Sequence, residues 1–185
     1  MSEHDNVYLV GPMGSGKTTL GRRIAERFGL EFVDCDQEIE QRTGASVDLI
    51  FEIEGEAGFR KRESDMLRQL SERTGLLIAT GGGVVLDHEN RRLMEKTGLV
   101  IYLRTPVSQQ LLRLARDKSR PLLQRSDRET FLKQLAAQRN PLYREVADAV
   151  FESKHSDIRR VTDELASLVK QHWHPEPEDH LHANR

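Results

Sequence analysis

The sequence predicts an α/β fold, a parallel sheet with helices on both faces. Three observations lead there. Short apolar runs alternate with helical stretches, the pattern of a sheet whose strands are joined by crossover helices. The first apolar run stops at a glycine-rich loop that opens a helix, and neither an internal repeat nor an interdomain linker interrupts the alternation.

The elements follow in order. Residues 7–10 form an apolar run that stops at Gly11, the mark of a buried strand. Residues 17–28 read as a helix with Leu20, Ile24 and Phe28 on one face and Gly29 as its stop. Residues 31–33 give a second strand, and 36–42 a short helix ended by Gly44. Ser46 can cap a segment carrying Val47, Ile50 and Phe51, and 56–73 is the longest helical stretch, closed by Gly75. Residues 76–79 form a third strand, followed by Gly81-Gly82-Gly83. A helix over 87–96 leads to a fourth strand over 99–103. Thr105-Pro106 starts a helix carrying Leu111, Leu112 and Leu114, since proline suits the first helical position. Residues 116–125 lack an apolar period and read as a loop. Helices over 128–138 and 142–147, a fifth strand over 149–151 and an amphipathic helix marked by Ile158, Val161, Leu165, Leu168 and Val169 complete the domain. The expected organisation is one domain over 1–171 and a disordered tail over 172–185, which is polar and carries two prolines.

At 185 residues the chain can bury one sizeable core. A net charge of −2 gives no electrostatic case for nucleic acid or an anionic membrane surface. The apolar runs are too short to span a bilayer, and the polar start, Met1-Ser2-Glu3-His4-Asp5, fits no signal peptide. With a single cysteine, Cys35, no internal disulfide can form, so a reducing, cytoplasmic setting is expected. No extra apolar stripe asks for a partner, and a monomer is expected.

Gly11-Pro12-Met13-Gly14-Ser15-Gly16-Lys17-Thr18 fits the pattern glycine, any four, Gly-Lys-Ser/Thr. The glycines let backbone N–H groups converge on phosphate oxygens. Lys17 brings a point charge to the β and γ phosphates, Thr18 offers a hydroxyl to Mg²⁺, and the following helix adds its positive end. The strand before and the helix after make a chance glycine-rich turn the poorer account. The motif indicates nucleotide binding without separating a kinase from an ATPase, a GTPase or a switch.

Other positions suggest an acceptor site. Asp34 and Asp36 flank Cys35; if this stretch is extended, both carboxylates share one face and Cys35 takes the other. One carboxylate could then serve Mg²⁺ through water and the other accept a hydroxyl proton, or the pair could simply cap the next helix. Arg60 and Glu63, three apart on the long helix, can hold one another and suit a carboxylate ligand; a solvated ion pair is the plainer account. Gly81, Gly82 and Gly83 suit a ligand that approaches the main chain closely, or a flexible turn. The basic loop with Arg113, Arg116, Lys118, Arg120 and Arg125 could close over ATP and supply charge to the transferring group, or be a solvated basic turn. Arg139, before Pro141, is either a helix-end cap or a second clamp on an anion.

Taken in order, these motifs resemble the shikimate kinase family, most specifically in Asp34-Cys35-Asp36, Phe59-Arg60 to Glu63, the glycine triplet, Arg120-Pro121-Leu122-Leu123, and Arg139 with Pro141-Leu142-Tyr143. The resemblance runs from about Val7 to Val169. It implies a three-layer α/β/α P-loop NTPase of the nucleoside monophosphate kinase style, with a five-stranded parallel sheet and a mobile lid over 116–125. It implies transfer of the γ-phosphoryl of ATP to the 3-hydroxyl of shikimate, with Mg²⁺. Asp36, Arg60, Gly82 and Arg139 would contact shikimate, with Gly81 and Gly83 beside them. Asp36 would be the base or orienter of the attacking hydroxyl, and Glu63 would hold Arg60 and Asp36. Gly14, Ser15, Gly16, Lys17, Thr18 and Thr19 would hold the phosphates, with Thr18 on Mg²⁺ and Asp34 reaching it through water. Lys17 and Arg120 would stabilise the transferring group, Arg120 as the lid arginine, and Arg113 would lie near the adenine. Ser156 stands where some members place an arginine beside the adenine. The rivals are another small-substrate kinase, such as a gluconate or nucleotide kinase, and a non-catalytic module that senses shikimate or a nucleotide. A non-catalytic relative should have lost Lys17, Asp36 or one of the arginines, and this chain retains them.

Overall fold

A computed structural model of the chain describes residues 5–115, 126–153 and 155–174. Its centre is a five-stranded sheet of β1 (Asn6–Val10), β2 (Glu31–Asp34), β3 (Leu76–Ala79), β4 (Gly98–Leu103) and β5 (Ala149–Phe151). The spatial order is β2-β3-β1-β4-β5 and every pairing is parallel. The register aligns the strand ends: Asp34 and Leu9 both lie opposite Ala79, and Val10 lies opposite Tyr102. Parallel strands therefore deliver their carboxyl ends, and the loops that follow, to one edge of the sheet.

Alternation along each strand splits the core into two layers. Tyr8, Val10, Leu76, Ile78, Val100 and Tyr102 face one side, where α2 (Cys35–Thr43), α3 (Val47–Ser71), α4 (His88–Thr97) and α6 (Arg128–Val146) supply Ile39, Leu67, Met94 and Tyr143. Val7, Leu9, Leu77, Leu99, Ile101 and Leu103 face the other, against Leu20 and Ile24 of α1 (Lys17–Phe28) and Leu165 and Val169 of α7 (Ile158–His172). The helix α5 (Val107–Leu114) packs Leu114 on Leu132 of α6. No helix among the described residues is long and apolar enough to cross a membrane.

Several local expectations change. Asp34 is the last residue of β2 and Cys35 already belongs to α2, because the Asp34 carboxylate caps that helix by accepting from the N–H groups of Asp36 and Gln37. The Asp34-Cys35-Asp36 stretch is thus not extended throughout. Helix α3 runs through the expected break and bends at Gly55, whose φ of 71° and ψ of −179° are not helical. Ser46 caps it, accepting from the Leu49 N–H at 3.2 Å. The helix expected to end near Gln138 continues to Val146 with Pro141 inside it. There the Ala137 carbonyl loses the N–H that any other residue at 141 would offer, but tertiary packing of Leu132, Tyr143 and Val146 holds both halves in line. Pro106 sits one position earlier than expected, as the N-cap of α5 rather than its first turn.

The expected tail boundary also shifts. Helix α7 includes His172, and Trp173 packs edge-on against Phe28 of α1 with ring centroids 5.8 Å apart. Tail residues 175–185, like the expected lid at 116–125, lie outside the described residues. Replacing Trp173→Ala should lower stability by about 1–3 kcal/mol, the range for removing a large, partly buried aromatic. Urea unfolding measures it; an unchanged midpoint would return Trp173 to the tail.

Candidate active site

The loop from Gly11 to Gly16 links β1 to α1, and its backbone is held open by glycine. Gly16 has φ 90°, in the left-handed region that side chains rarely adopt. The Lys17 ammonium donates across the loop to the carbonyls of Gly11 (2.7 Å) and Pro12 (2.9 Å) and to Ser15 Oγ (3.3 Å). In the first turn of α1, Thr18 Oγ1 donates to Asp34 Oδ2 at 2.7 Å. The sequence-predicted partners, sixteen positions apart, are thus brought together at the ends of neighbouring elements. Thr19 is exposed on the same turn.

The acceptor side forms around the glycine triplet. Thr80 fixes its start, donating through its hydroxyl to the Leu9 carbonyl at 2.9 Å. A Cβ at Gly81 would lie 2.5 Å from Glu63 Oε1 and 3.1 Å from Asp36 Oδ1. At Gly82 it would lie 3.4 Å from Arg139 Nη1, and at Gly83 it would collide with the Arg60 guanidinium. The triplet is therefore a packed corner whose missing side chains leave room for two carboxylates and two guanidiniums. A flexible turn does not describe it.

Arg60 Nη1 donates to Glu63 Oε2 at 2.7 Å. The solvated ion pair is excluded, because Glu63 is only 2% exposed. Arg60 also lies near the rings of Phe59 (5.4 Å) and Phe51 (5.9 Å), which limit its swing. On α6, Arg139 lies before the proline and turns inward with Tyr143, whose hydroxyl donates to the Gly82 carbonyl. Helix-end capping is not its setting, since α6 continues past it. The Nε atoms of Arg60 and Arg139 are buried and find no hydrogen-bond partner among the described residues.

Burial raises the Glu63 carboxyl above its ordinary 4.5, with Arg60 pulling the other way and Asp36 adding to the rise. Burial also pushes the Cys35 thiol well up, reinforced by Asp36 and Glu63. Cys35 is thus core filler and no nucleophile, as its carboxylate neighbours suggest. The Tyr143 phenol is pushed up to about 12, mainly by burial, so it stays a proton donor.

The remaining residues fall on the nucleotide side or outside. Arg113 of α5 donates to the Gly14 carbonyl at 2.8 Å, over the phosphate loop. Ser156 is exposed, in the bend between β5 and Asp157, the N-cap of α7. Arg120 lies outside the described residues. Two contributors have no role in the sequence reading. Thr80 is buried beside the triplet, and its only signal is its place between a strand and three glycines. Tyr143 stands in a quoted motif, but nothing in a linear sequence shows that its hydroxyl reaches position 82.

A nucleotide loop and a cationic acceptor corner on one sheet edge suit a small-molecule kinase, and comparison with known proteins identifies the family. The family model described as shikimate kinase matches residues 13–170. The chain belongs to the shikimate kinase family. It is 51% identical over 173 residues to a shikimate kinase of Stenotrophomonas maltophilia, covering 94% of this chain and 96% of that protein. It is 45% identical over 172 residues to one of Vibrio cholerae, covering 93% and 99%. Among solved structures it resembles the shikimate kinase of Acinetobacter baumannii in complex with shikimate, at 48% identity and TM-score 0.86, over 92% of this chain and 95% of that one. The Aquifex aeolicus shikimate kinase follows the same fold at 31% identity and TM-score 0.75, over 90% and 96%. The expected P-loop kinase architecture with a five-stranded parallel sheet is therefore the observed one.

The raised Glu63 pKa predicts a pH signature. The folded chain holds this proton more tightly than the unfolded chain does. The associated stability is full below the unfolded value of 4.5 and is lost as pH rises through the folded value. The melting temperature of the wild type minus that of Glu63→Gln should therefore fall as pH rises from about 4 toward about 8. A difference that stays flat or grows over this range would refute the assignment.

Proposed function

We propose that the chain transfers the γ-phosphoryl group of ATP to the 3-hydroxyl of shikimate, giving shikimate 3-phosphate and ADP on the route to chorismate and the aromatic amino acids. The observation that carries this reading is the pair of guanidiniums flanking the glycine triplet, each with a buried Nε that has no partner among the described residues. Such a pair suits a ring carboxylate, which accepts from planar forks. A neutral polyol would leave those donors unmet, and that argues against an uncharged sugar or a nucleoside as acceptor.

On this reading Arg60, Arg139 and the main chain at Gly82 hold shikimate, with Glu63 fixing Arg60. Asp36 stands at the same corner and takes the proton as the hydroxyl oxygen bonds to the γ-phosphorus. The bond from that phosphorus to the β–γ bridging oxygen breaks, and ADP leaves with its electron pair. Lys17 and the loop N–H groups from Gly14 to Thr19 hold the phosphates and meet the developing charge. Arg120 acts from the lid as the resemblance assigns it, and Arg113 and Ser156 border the nucleoside. The oxygen donors Thr18 and Asp34, hydrogen-bonded to one another, fit a hard cation that keeps most of its waters. Thr18 would hold Mg²⁺ directly and Asp34 through water; when bound, the ion neutralises charge on the β and γ phosphates. The same reading makes the protein a cytoplasmic monomer. Its cysteine is a buried thiol, and its exposed large apolar side chains, Leu49, Ile53, Leu112, Val150 and Ile158, are spread over α3, α5, β5 and α7.

A coupled ADP-release assay offering shikimate, gluconate and nucleoside monophosphates in parallel tests the proposal. Turnover is expected with shikimate, and turnover with another acceptor in its place would overturn it. Arg60→Ala or Arg139→Ala should raise the KM for shikimate by roughly 10- to 100-fold, the worth of a charge-assisted bond, and leave the KM for ATP nearly unchanged. Asp36→Asn should lower kcat by on the order of 10² or more. Near-normal turnover in that variant would show that another group takes the proton.

A further inference from the structure

We propose that Tyr143 is a positioning residue for the acceptor: its hydroxyl couples the Gly82 peptide to the Arg139 guanidinium and keeps that guanidinium available to the ligand. The inference rests on the reading of Gly82 and Arg139 as acceptor contacts.

Tyr143 is 1% exposed, with its ring against Tyr102 at a centroid distance of 5.1 Å. Those contacts fix the ring and leave the hydroxyl no choice of position. A phenol has one proton to donate and lone pairs to accept with. The proton goes to the Gly82 carbonyl, and the Arg139 guanidinium lies close enough to the same phenol to oppose the rise in its pKa. Arg139 Nη1 and the Tyr143 oxygen lie 3.4 and 3.5 Å from where a Gly82 Cβ would stand, so both side chains line the space beside Gly82. The phenol stays protonated, because burial raises its pKa to about 12.

This arrangement solves a competition. A peptide carbonyl beside a guanidinium is a natural acceptor for it, and a direct bond would draw Arg139 onto the main chain. The Tyr143 proton occupies that carbonyl instead, and the Tyr143 lone pairs offer the neighbouring Arg139 an acceptor of their own. Arg139 Nε still has no partner among the described residues and remains open to an anion. Helix geometry sets the two side chains together, since Arg139 and Tyr143 are four apart on α6, one turn on one face, with Pro141 between them. Without the hydroxyl, Arg139 can collapse onto the Gly82 carbonyl and withdraw a donor from the ligand.

The test is steady-state kinetics and thermal melting of Tyr143→Phe, Arg139→Ala, the double variant and Tyr102→Phe. Tyr102 is the stacked neighbour, so its variant removes a hydroxyl from the same aromatic pair at a point away from Gly82. Tyr143→Phe is expected to raise the KM for shikimate about five- to tenfold, the worth of one neutral hydrogen bond, with the KM for ATP unchanged. The double variant should be no worse for shikimate than Arg139→Ala alone, because the hydroxyl acts through that arginine. Tyr102→Phe should not show the split between the two substrates. If Arg139→Ala weakens shikimate and Tyr143→Phe does not, or if the two effects multiply, the coupling is refuted while the acceptor reading stands. A split reproduced by Tyr102→Phe, or equal changes in both KM values, would likewise refute it and make Tyr143 a packing residue. An Arg139→Ala variant with normal KM for shikimate would instead remove the acceptor reading itself, and this inference with it.

Discussion

Glu63 is a carboxylate buried where a hydrocarbon would be easier to accommodate, and the acceptor corner is arranged around it. Taking the charge out of water raises its pKa, and the Arg60 guanidinium at 2.7 Å offsets part of that penalty. The pair can exist only if the main chain passes close by without side chains. At Gly81 a methyl would lie 2.5 Å from the Glu63 carboxylate, and at Gly83 it would overlap Arg60. The triplet and the ion pair therefore require one another. Two rings, Phe51 and Phe59, narrow the remaining freedom of Arg60. A site built this way gives up some stability for a guanidinium held in one place, which is what a planar anion needs.

The sheet makes this corner meet the phosphate loop. With all strands parallel and in register, the ends of β1, β2 and β3 stand at one level. The phosphate loop leaves β1, Asp34 ends β2, and the triplet follows β3. The Gly11 carbonyl is 3.7 Å from where a Gly82 Cβ would be, so nucleotide and acceptor sides share a wall. The Thr18–Asp34 hydrogen bond joins them at a second point. The Asp34 carboxylate uses its other oxygen to cap α2, and that cap points the first turn of the helix, with Asp36 on it, into the corner. The cap and the Thr18 bond use different oxygens of one carboxylate, so capping leaves room for the metal role proposed for Asp34.

Where sequence and structure part, the reason is tertiary. The five strands were legible because each is an apolar run bounded by glycine or polar residues, and β3 and β5 have the expected limits. The phosphate loop was legible because its chemistry is contiguous. Glu63 was not: an Arg-Glu pair three apart on a charged helix looks the same whether solvated or buried, and only the triplet folding over it makes the difference. Pro141 misled in the other direction. Proline argues for a helix end, yet α6 passes through it because Leu132, Tyr143 and Val146 are buried on both sides of the break. Trp173 failed to stand out in a polar stretch, since its partner Phe28 lies at the other end of the chain.

The two halves of the site also differ in how they satisfy themselves. The Lys17 ammonium has two carbonyls and a hydroxyl of its own loop as acceptors. Phosphate oxygens must exchange with these, so the gain on binding nucleotide is the difference between charge-assisted bonds and bonds already made. The loop keeps its shape at little cost, and the lysine charge is delivered where it is needed. The acceptor corner is the reverse. Arg60 Nε, Arg139 Nε and Glu63 Oε1 are buried without partners among the described residues. A buried polar atom left unmet costs about 1–3 kcal/mol, and an anionic ligand relieves the guanidinium share of that cost. Specificity then follows from chemistry rather than shape alone. On the proposed reading, a ligand lacking the carboxylate would leave the donors unmet, and discrimination would be set by what the protein does not satisfy by itself.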